Sequence, residues 1–292
     1  AQDKRVWLIF ANESTLCQSL LQTLNRYDQE VVQVTRGTRF QKLSETAFVV
    51  SPRQRDDYES LIKQLRHKNI YKVIHCWALD IQEVSAAQAD QEFLNFETQQ
   101  DQGFYSLMNI SHSLANLIPT DQSIDITVVA NRLHDVYGTG HGSPGKATLI
   151  GPSLVIPQEV LQITIHCIDL VLANSNTSRI VVKVLSEIEN GSLDPMVAYR
   201  GDQRLVPSYQ RVQLKNSTGL PSALKDKGVY LITGGLGKVG LTFARYLGEK
   251  ACARLCLVSR TTFPERDQWQ DICAKDLPFS ETIQTILSIE KS

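Results

Sequence analysis

The sequence has 292 residues, of which 42% are hydrophobic and 21% charged, so it can bury a sizeable core and is neither disordered nor fibrous. Its 30 lysines and arginines balance 31 acidic residues, which argues against nucleic acid or an anionic membrane surface as a partner. There is no apolar run of about 18 residues and no signal-peptide layout, so we expect no contact with a membrane. The length predicts about two domains.

Six scattered cysteines, with no C-x-x-C pair among them, favour reduced thiols in the cytosol over disulfides and contain no metal-ligand spacing. Most of them lie in apolar runs, where cysteine behaves as a small hydrophobic residue. They are Cys17, Cys76, Cys167, Cys252, Cys256 and Cys273.

In chain order, apolar runs rich in β-branched residues alternate with segments of helical period, which indicates an α/β protein with a largely parallel sheet. Four helices are predicted before the linker. The first begins after Ser14 or Thr15, the second carries an apolar face from Tyr58 to Leu65, and the other two cover residues 97–117 and 177–189. Residues 137–153 are rich in glycine and predict a loop. The extended runs before the linker are 5–10, 31–35, 47–51, 73–77, 124–130, 163–170, 197–200 and 204–214.

We therefore predict a first α/β unit at 1–215, with no phosphate loop after its first strand, and a polar linker at 216–227. The pattern then restarts over 228–292, with strands at 229–233 and 255–259 and helices between and after them. This second unit contains only its first β-α-β segment. A two-stranded sheet is marginal in water by itself.

The strongest motif is GLGKVG at 235–240, a G-x-G-x-x-G that directly follows a predicted strand and opens a helix. Glycines there permit a tight turn, close approach of the backbone to a pyrophosphate, and helix–strand packing. The backbone N–H groups and the helix dipole would hold the phosphates. The alternative is a strand–helix turn that binds nothing.

The end of the next strand predicts which dinucleotide binds. An acidic residue there would bind the ribose 2′-hydroxyl of NAD, but this strand ends in Ser259-Arg260. A guanidinium can pair with a 2′-phosphate, so the sequence favours NADPH. In the alternative interpretation, Arg260 is an ordinary exposed turn residue.

Four segments resemble those of a known family: 228–247 (GVYLITGGLGKVGLTFARYL), 255–260 (LCLVSR), 196–214 (MVAYRGDQRLVPSYQRVQL) and 151–159 (GPSLVIPQE). They resemble the ketoreductase domain of modular polyketide synthases, within the short-chain dehydrogenase/reductase superfamily. The resemblance implies that residues 1–215 form a truncated, Rossmann-like structural subdomain without cofactor and that residues 228–292 are the start of an NADPH-binding catalytic subdomain. Lys238 departs from the family, which has a small residue there; its side chain would crowd the cofactor or add a charge contact. The positions matched to the cofactor turn, with Lys238 and Val239 completing it, are Thr233, Gly234, Gly235, Leu236, Gly237, Lys238, Val239, Gly240, Ser259 and Arg260.

The resemblance further implies NADPH-dependent reduction of a β-ketoacyl thioester carried on the phosphopantetheine of an acyl carrier protein. The parent would be a cytoplasmic polyketide synthase whose neighbouring domains and carrier protein are the partners. The family's catalytic serine and tyrosine follow the glycine turn at a greater distance than this chain extends, so we assign no catalytic residue and expect the chain alone to be inactive. The alternatives are a non-catalytic pseudo-ketoreductase scaffold and an unrelated tandem-Rossmann dehydrogenase or epimerase.

Other patterns favour structural roles. Tyr246-x-x-x-Lys250 lies in the helix that starts at the glycine turn, about 9 Å along its axis from Gly240 at 1.5 Å per residue. Tyr105-x-x-x-Asn109 precedes the turn and belongs to the first subdomain. His75 and Cys76 are neighbours in a strand, so their side chains face opposite sides of the sheet. The glycines at 138–145, with His141, predict a surface loop from which no helix opens.

Overall fold

The computed structural model describes residues 5–26, 30–79, 89–119, 121–140, 142–172, 177–191, 194–213, 221 and 223–291. The chain divides into two compact units, residues 1–209 and 210–292. This division falls shortly before the linker predicted at 216–227. Residues 216–220 and 222 of that linker, and His141 of the glycine-rich loop, lie outside the described residues.

In its described residues, the first unit contains one nine-stranded sheet in the order β3-β4-β2-β1-β5-β6-β7-β8-β9. The pairs β3–β4 and β8–β9, at the two edges, are antiparallel, and all other pairs are parallel. The predicted α/β, Rossmann-like fold class is confirmed. The strands are Arg5–Phe10 (β1), Glu30–Arg36 (β2), Gln41–Lys42 (β3), Ala47–Val50 (β4), Asn69–His75 (β5), Ile124–Asn131 (β6), Ile163–Leu170 (β7), Met196–Arg200 (β8) and Gln203–Leu205 (β9).

Helices cover both faces of this sheet, which explains why its central strands are continuous apolar runs. One apolar cluster contains side chains of α2, α4 and α6, and a second cluster, on the other face, contains side chains of α1 and α7. Ser14 caps α1, because its Oγ accepts the N–H of Cys17 at 3.1 Å. The helices are Thr15–Leu24 (α1), Arg55–Leu65 (α2), Ala89–Gln99 (α3), Ser106–Leu117 (α4), Pro144–Ala147 (α5), Ile150–Glu159 (α6) and Thr177–Asn190 (α7).

One prediction for the first unit is wrong, and another covers only part of its element. The loop predicted at 137–153 because of its glycines and prolines contains α5 and the first residues of α6. Pro144 occupies the first position of α5, where proline is tolerated. The helix predicted at 97–117 begins at Ala89 and includes a π-helical turn at Gln100–Tyr105, which periodicity at 3.6 residues per turn does not detect.

Several strand bounds also differ from the sequence pattern. β5 begins at Asn69 and ends at His75, so Trp77 follows the strand. β4 ends at Val50, one residue before the predicted end. Only Arg204 and Leu205 of the extended run predicted at 204–214 belong to the sheet, as part of β9, since the described residues after them pair with no strand.

The second unit, in its described residues, contains a two-stranded parallel sheet of Val229–Thr233 (β10) and Arg254–Val258 (β11). Three helices accompany it: Lys238–Ala251 (α8), Trp269–Ala274 (α9) and Ser280–Glu290 (α10). This is the β-α-β segment that the sequence predicts, although β11 ends one residue before Ser259.

One face of the β10–β11 sheet is exposed. Val229 and Leu231 are 75% and 66% exposed, and Val258 on the neighbouring strand is 45% exposed. The alternate residues of both strands are half-buried, which is the pattern of a sheet covered on one side only. The described residues therefore build one side of a Rossmann unit, with an apolar face in contact with solvent.

All six cysteines are free thiols. Cys17, Cys76 and Cys167 are buried as expected for small hydrophobic residues, but Cys252 and Cys256 are exposed, contrary to that expectation. Within the described part of the chain, we find no cluster of three or more potential metal ligands and no helix that could cross a membrane.

Candidate functional site

The turn between β10 and α8 has the backbone shape that its glycines predict. Gly234 follows Thr233 with φ of +67°, a left-handed conformation that favours glycine. The N–H of Gly235 donates to the carbonyl of Val258 at 3.0 Å, and the N–H of Gly237 donates to the carbonyl of Gly234 at 2.9 Å. These bonds close the turn on itself and fix it to β11.

Two of these glycines lie where no side chain fits. A Cβ on Gly240 would lie 2.6 Å from the carbonyl oxygen of Gly234 and 2.7 Å from the Cα of Gly235. A Cβ on Gly235 would lie 2.8 Å from the carbonyl oxygen of Ile232. The first turn of α8 thus packs directly on the backbone of the loop, as a dinucleotide-binding β-α-β unit requires.

The N-terminus of α8 is open. Gly237 is its N-cap and supplies no side chain to bond the first amides, which have no acceptor within their own helix. Thr233, Lys238 and Val239 are exposed around the turn, and Leu236 is half-buried. Among the described residues, the Lys238 ammonium forms no hydrogen bond or ion pair that would close the turn. The residues present therefore fit a bound phosphate group.

Ser259 and Arg260 follow β11 at the same edge of the small sheet, and both are exposed. The Ser259 Oγ accepts the N–H of Thr261 at 3.2 Å, which orders the chain just after the strand. The nearest following acidic residue is Glu265, so no carboxylate takes the position that would bind a ribose 2′-hydroxyl.

The equivalent crevice of the first unit, where the strand order reverses between β1 and β5, is filled by protein. The Trp77 side chain is fully buried there, and its Nε1 donates to the carbonyl of Ala11 at 2.9 Å. The Asn12 amide donates to the carbonyls of Cys76 at 3.1 Å and Leu79 at 2.7 Å. The sequence shows only that no glycine loop follows β1; this closure depends on contacts between residues more than 60 positions apart.

The remaining candidate motifs take the positions expected of structural residues. Tyr246 and Lys250 lie exposed along α8. The Asn109 amide donates to the carbonyl of Pro52 at 3.4 Å. The glycine-rich segment is a turn around Asp135, whose carboxylate accepts the N–H groups of Thr139 and Gly140. Contrary to the prediction that no helix opens from it, α5 follows directly.

His75 and Cys76 do not form a nucleophile–base pair. The His75 Nε2 lies 2.7 Å from the Ser106 Oγ, whereas Cys76 belongs to the apolar cluster on the other face of the sheet. Burial lowers the pKa of His75 to about 3, so it is neutral in the core.

Two family models match separate parts of the chain, each over less than half of its 292 residues. The family model described as KR domain matches residues 228–277, and the model described as β-ketoacyl synthase-like, N-terminal matches residues 5–134. The second match lies on the first unit and was not foreseen from the sequence. A 6-methylsalicylic acid synthase of Aspergillus terreus is 43% identical over 89 residues, which are 29% of this chain and 4% of that protein. A phenolphthiocerol/phthiocerol polyketide synthase subunit of Mycobacterium tuberculosis is 28% identical over 41% of this chain and 6% of its own length.

Solved structures give the fold. A keto acid-selecting NRPS module containing adenylation, ketoreductase and pseudo Asub domains matches 100% of this chain and 23% of its own, with a TM-score of 0.79 and 25% identity. An N-terminal ketoreductase from the macrolactin assembly line matches 99% of this chain and 53% of its own, with a TM-score of 0.64 and 20% identity.

Fold and turn together define a Rossmann-type α/β chain with a glycine turn between β10 and α8. More particularly, the predicted resemblance is confirmed: the chain is similar to the ketoreductases of polyketide synthases, and its sequence relatives are polyketide synthases. It spans only 4–6% of the first curated relatives.

The packing of the turn predicts that Gly240→Val will destabilise the second unit by about 1–3 kcal/mol, because its Cβ would meet rigid backbone atoms. Gly237→Ser is the matched control: its Cβ lies 3.2 Å from one carbonyl, and serine is a favourable N-cap. Hydrogen exchange of the β10, α8 and β11 amides measures the difference. Equal protection in the two variants would contradict the tight packing.

Proposed function

We propose that this chain is part of a polyketide-synthase ketoreductase and that β10, α8 and β11 bind the adenosine diphosphate half of NADPH. When bound, NADPH would supply the hydride that reduces a β-ketoacyl thioester to the β-hydroxyacyl form. The thioester would be carried on the phosphopantetheine of an acyl carrier protein. The carrier protein, neighbouring polyketide-synthase domains and a cytoplasmic location belong to this proposal.

The observation that carries the proposal is the turn at 233–240, where Gly234 is left-handed and Gly235 and Gly240 leave no room for a side chain. Such a turn brings main-chain N–H groups to a pyrophosphate without obstruction. Arg260, exposed just beyond β11, would pair with the 2′-phosphate that distinguishes NADPH from NADH.

The first unit would bind no dinucleotide in this proposal. Trp77 fills the volume between the carboxyl ends of β1 and β5, and the segment after β1 contains no glycine. The unit would serve as the structural subdomain, and residues 228–292 would belong to the catalytic one.

A test of the cofactor assignment compares NADPH and NADH by titration calorimetry on this chain. We expect NADPH to bind at least tenfold more tightly, since the extra phosphate pairs with Arg260. Arg260→Ala should abolish that preference and leave NADH affinity unchanged. Equal affinity of the wild type for both dinucleotides would contradict the role of Arg260, and binding of neither would contradict the cofactor site.

We further propose that this chain alone does not reduce ketones. Its described residues form two strands of the second unit, and a nicotinamide needs the strands on the other side of the crevice. The assay mixes NADPH with a β-ketoacyl thioester surrogate and measures NADPH oxidation from its absorbance. The rate of oxidation should stay at background. Turnover well above background would overturn this proposal.

A second candidate, a pseudo-ketoreductase scaffold that binds no cofactor, is favoured by one observation: Lys238 carries a long side chain at the mouth of the turn. The calorimetric titration separates the candidates, because a scaffold would bind neither dinucleotide.

A further inference from the structure

Lys238 is the first residue of α8 and directly follows the N-cap Gly237. Its side chain is exposed, and the Cα–Cβ bonds of a helix tilt toward its N-terminus. The ammonium can therefore reach the space in front of the first helical amides. This is the space that a pyrophosphate occupies in a dinucleotide-binding β-α-β unit.

The position of this lysine is electrostatically unfavourable in the free protein. The N-terminus of a helix carries partial positive charge, so a cation there is destabilising. Residues 241 and 242, which follow at i+3 and i+4, are leucine and threonine and supply no carboxylate. In the described part of the chain, the Lys238 ammonium has no anionic partner within ion-pair distance. Nothing in the described fold compensates the charge.

A bound phosphate would compensate it. We propose that Lys238 is a phosphate-binding residue whose ammonium pairs with the pyrophosphate of the dinucleotide, while Arg260 binds the 2′-phosphate. This inference rests on the proposed function. It assigns the two phosphate groups of the dinucleotide to two cations at different places in the second unit. Lys238 lies at the helix N-terminus, beside the pyrophosphate, and Arg260 lies beyond β11, beside the adenosine ribose.

The division predicts different losses for the two residues. NADPH and NADH share the pyrophosphate, so removal of the Lys238 charge should weaken both dinucleotides by the same factor. Removal of Arg260 should weaken NADPH alone. We expect removal of the Lys238 charge to lower the affinity for each dinucleotide about fivefold, the factor that corresponds to about 1 kcal/mol for an exposed ion pair.

The experiment titrates NADPH, NADH and 2′-AMP into the wild-type chain, Lys238→Met, Lys238→Ala and the control Lys250→Met. Methionine keeps the length of lysine without its charge, so it separates a charge contact from crowding. Lys250 is an exposed lysine in the last turn of the same helix, far from the phosphate position. Both Lys238 variants should bind the two dinucleotides about fivefold more weakly than the wild type. Their affinity for 2′-AMP, which has no pyrophosphate, should be unchanged, and Lys250→Met should bind all three ligands as the wild type does.

A second readout needs no ligand. Lys238→Met should raise the unfolding temperature of the second unit, because it removes a cation from a helix N-terminus, whereas Lys250→Met should lower it. Unchanged affinity in Lys238→Met, or tighter binding in Lys238→Ala, would overturn the inference while leaving the cofactor site intact. Failure of the wild type to bind any dinucleotide would overturn the proposed function as well.

Discussion

Replacement of Trp77 by alanine is expected to destabilise the first unit by about 3–5 kcal/mol, the range for removing a large aromatic side chain from a core. Trp77 is fully buried and packs edge-on against Phe10, with ring centroids 5.0 Å apart, and against His75 at 5.7 Å. Its Nε1 also donates to the carbonyl of Ala11, which would be left without that donor. Both the cavity and the orphaned carbonyl contribute to the loss.

Trp77→Phe separates the two contributions. Phenylalanine retains most of the ring packing but has no N–H, so we expect a loss of about 1–3 kcal/mol from the unsatisfied carbonyl and the smaller ring. Hydrogen exchange of the β1 and β5 amides measures both variants. A loss below about 1 kcal/mol for Trp77→Ala would contradict the closed crevice between these strands.

Replacement of Arg200 by alanine is expected to lower the free energy of unfolding of the first unit by about 3–5 kcal/mol, because it would leave the buried carboxylate of Asp169 without its cation. The Arg200 Nη2 lies 2.7 Å from the Asp169 Oδ2, and both side chains are almost inaccessible to solvent. Asp169 also accepts the N–H groups of Leu133 and His134, each at 3.1 Å. The pair therefore fixes the segment after β6 to β7 and β8.

This pair also makes the stability of the first unit depend on pH. Burial by itself would raise the pKa of Asp169, but hydrogen bonds from His134 and Arg200 hold that pKa below its ordinary value. A carboxyl whose folded pKa is lowered stabilises the fold above its unfolded pKa, near 3.9, and loses this contribution as pH falls through the folded value. Wild-type stability should thus fall below about pH 4.

The measurement is unfolding by urea at pH 6 and pH 3, followed through the β7 and β8 amides. At pH 6 the free energy of unfolding of Arg200→Ala should be much lower than that of the wild type. This difference should become smaller at pH 3, where Asp169 is closer to neutral. Arg179→Ala is the control, because its ion pair with Asp202 is exposed and worth at most about 1 kcal/mol. A gap that is independent of pH would contradict this account of the carboxylate.

Much of the local structure was predictable from the sequence, because it depends on neighbouring residues. The apolar run at Arg5–Phe10 was predicted as a strand, and the structure buries it from Val6 to Phe10. The helix cap was predicted at Ser14 or Thr15 from the helical stripe that follows, and the structure places it at Ser14. The turn was equally local, since the glycine spacing at 235–240 predicted a tight turn and a close helix–strand approach, and both are observed. The left-handed residue, Gly234, lies one position before that motif. Whether that turn binds NADPH stays a prediction.

Other features required contacts between distant parts of the chain. Residues 150–159 contain two prolines and no clear amphipathic stripe, yet they form α6, because Ile156 is buried in the core shared with α2 and α4. The π-helical turn before Ser106 likewise belongs to a helix whose sequence has an ordinary helical period. Propensity is a weak guide where packing decides the conformation.

The sequence by itself determined the α/β order of elements, the glycine turn and the absence of an acidic residue after β11, because each depends on residue types close together in the chain. Tertiary structure alone decided that Trp77 fills the crevice of the first unit, that Asp169 meets Arg200 from 31 positions away, and that one face of β10–β11 is exposed. Burial and pairing depend on which elements the fold brings together, and periodicity does not contain that information.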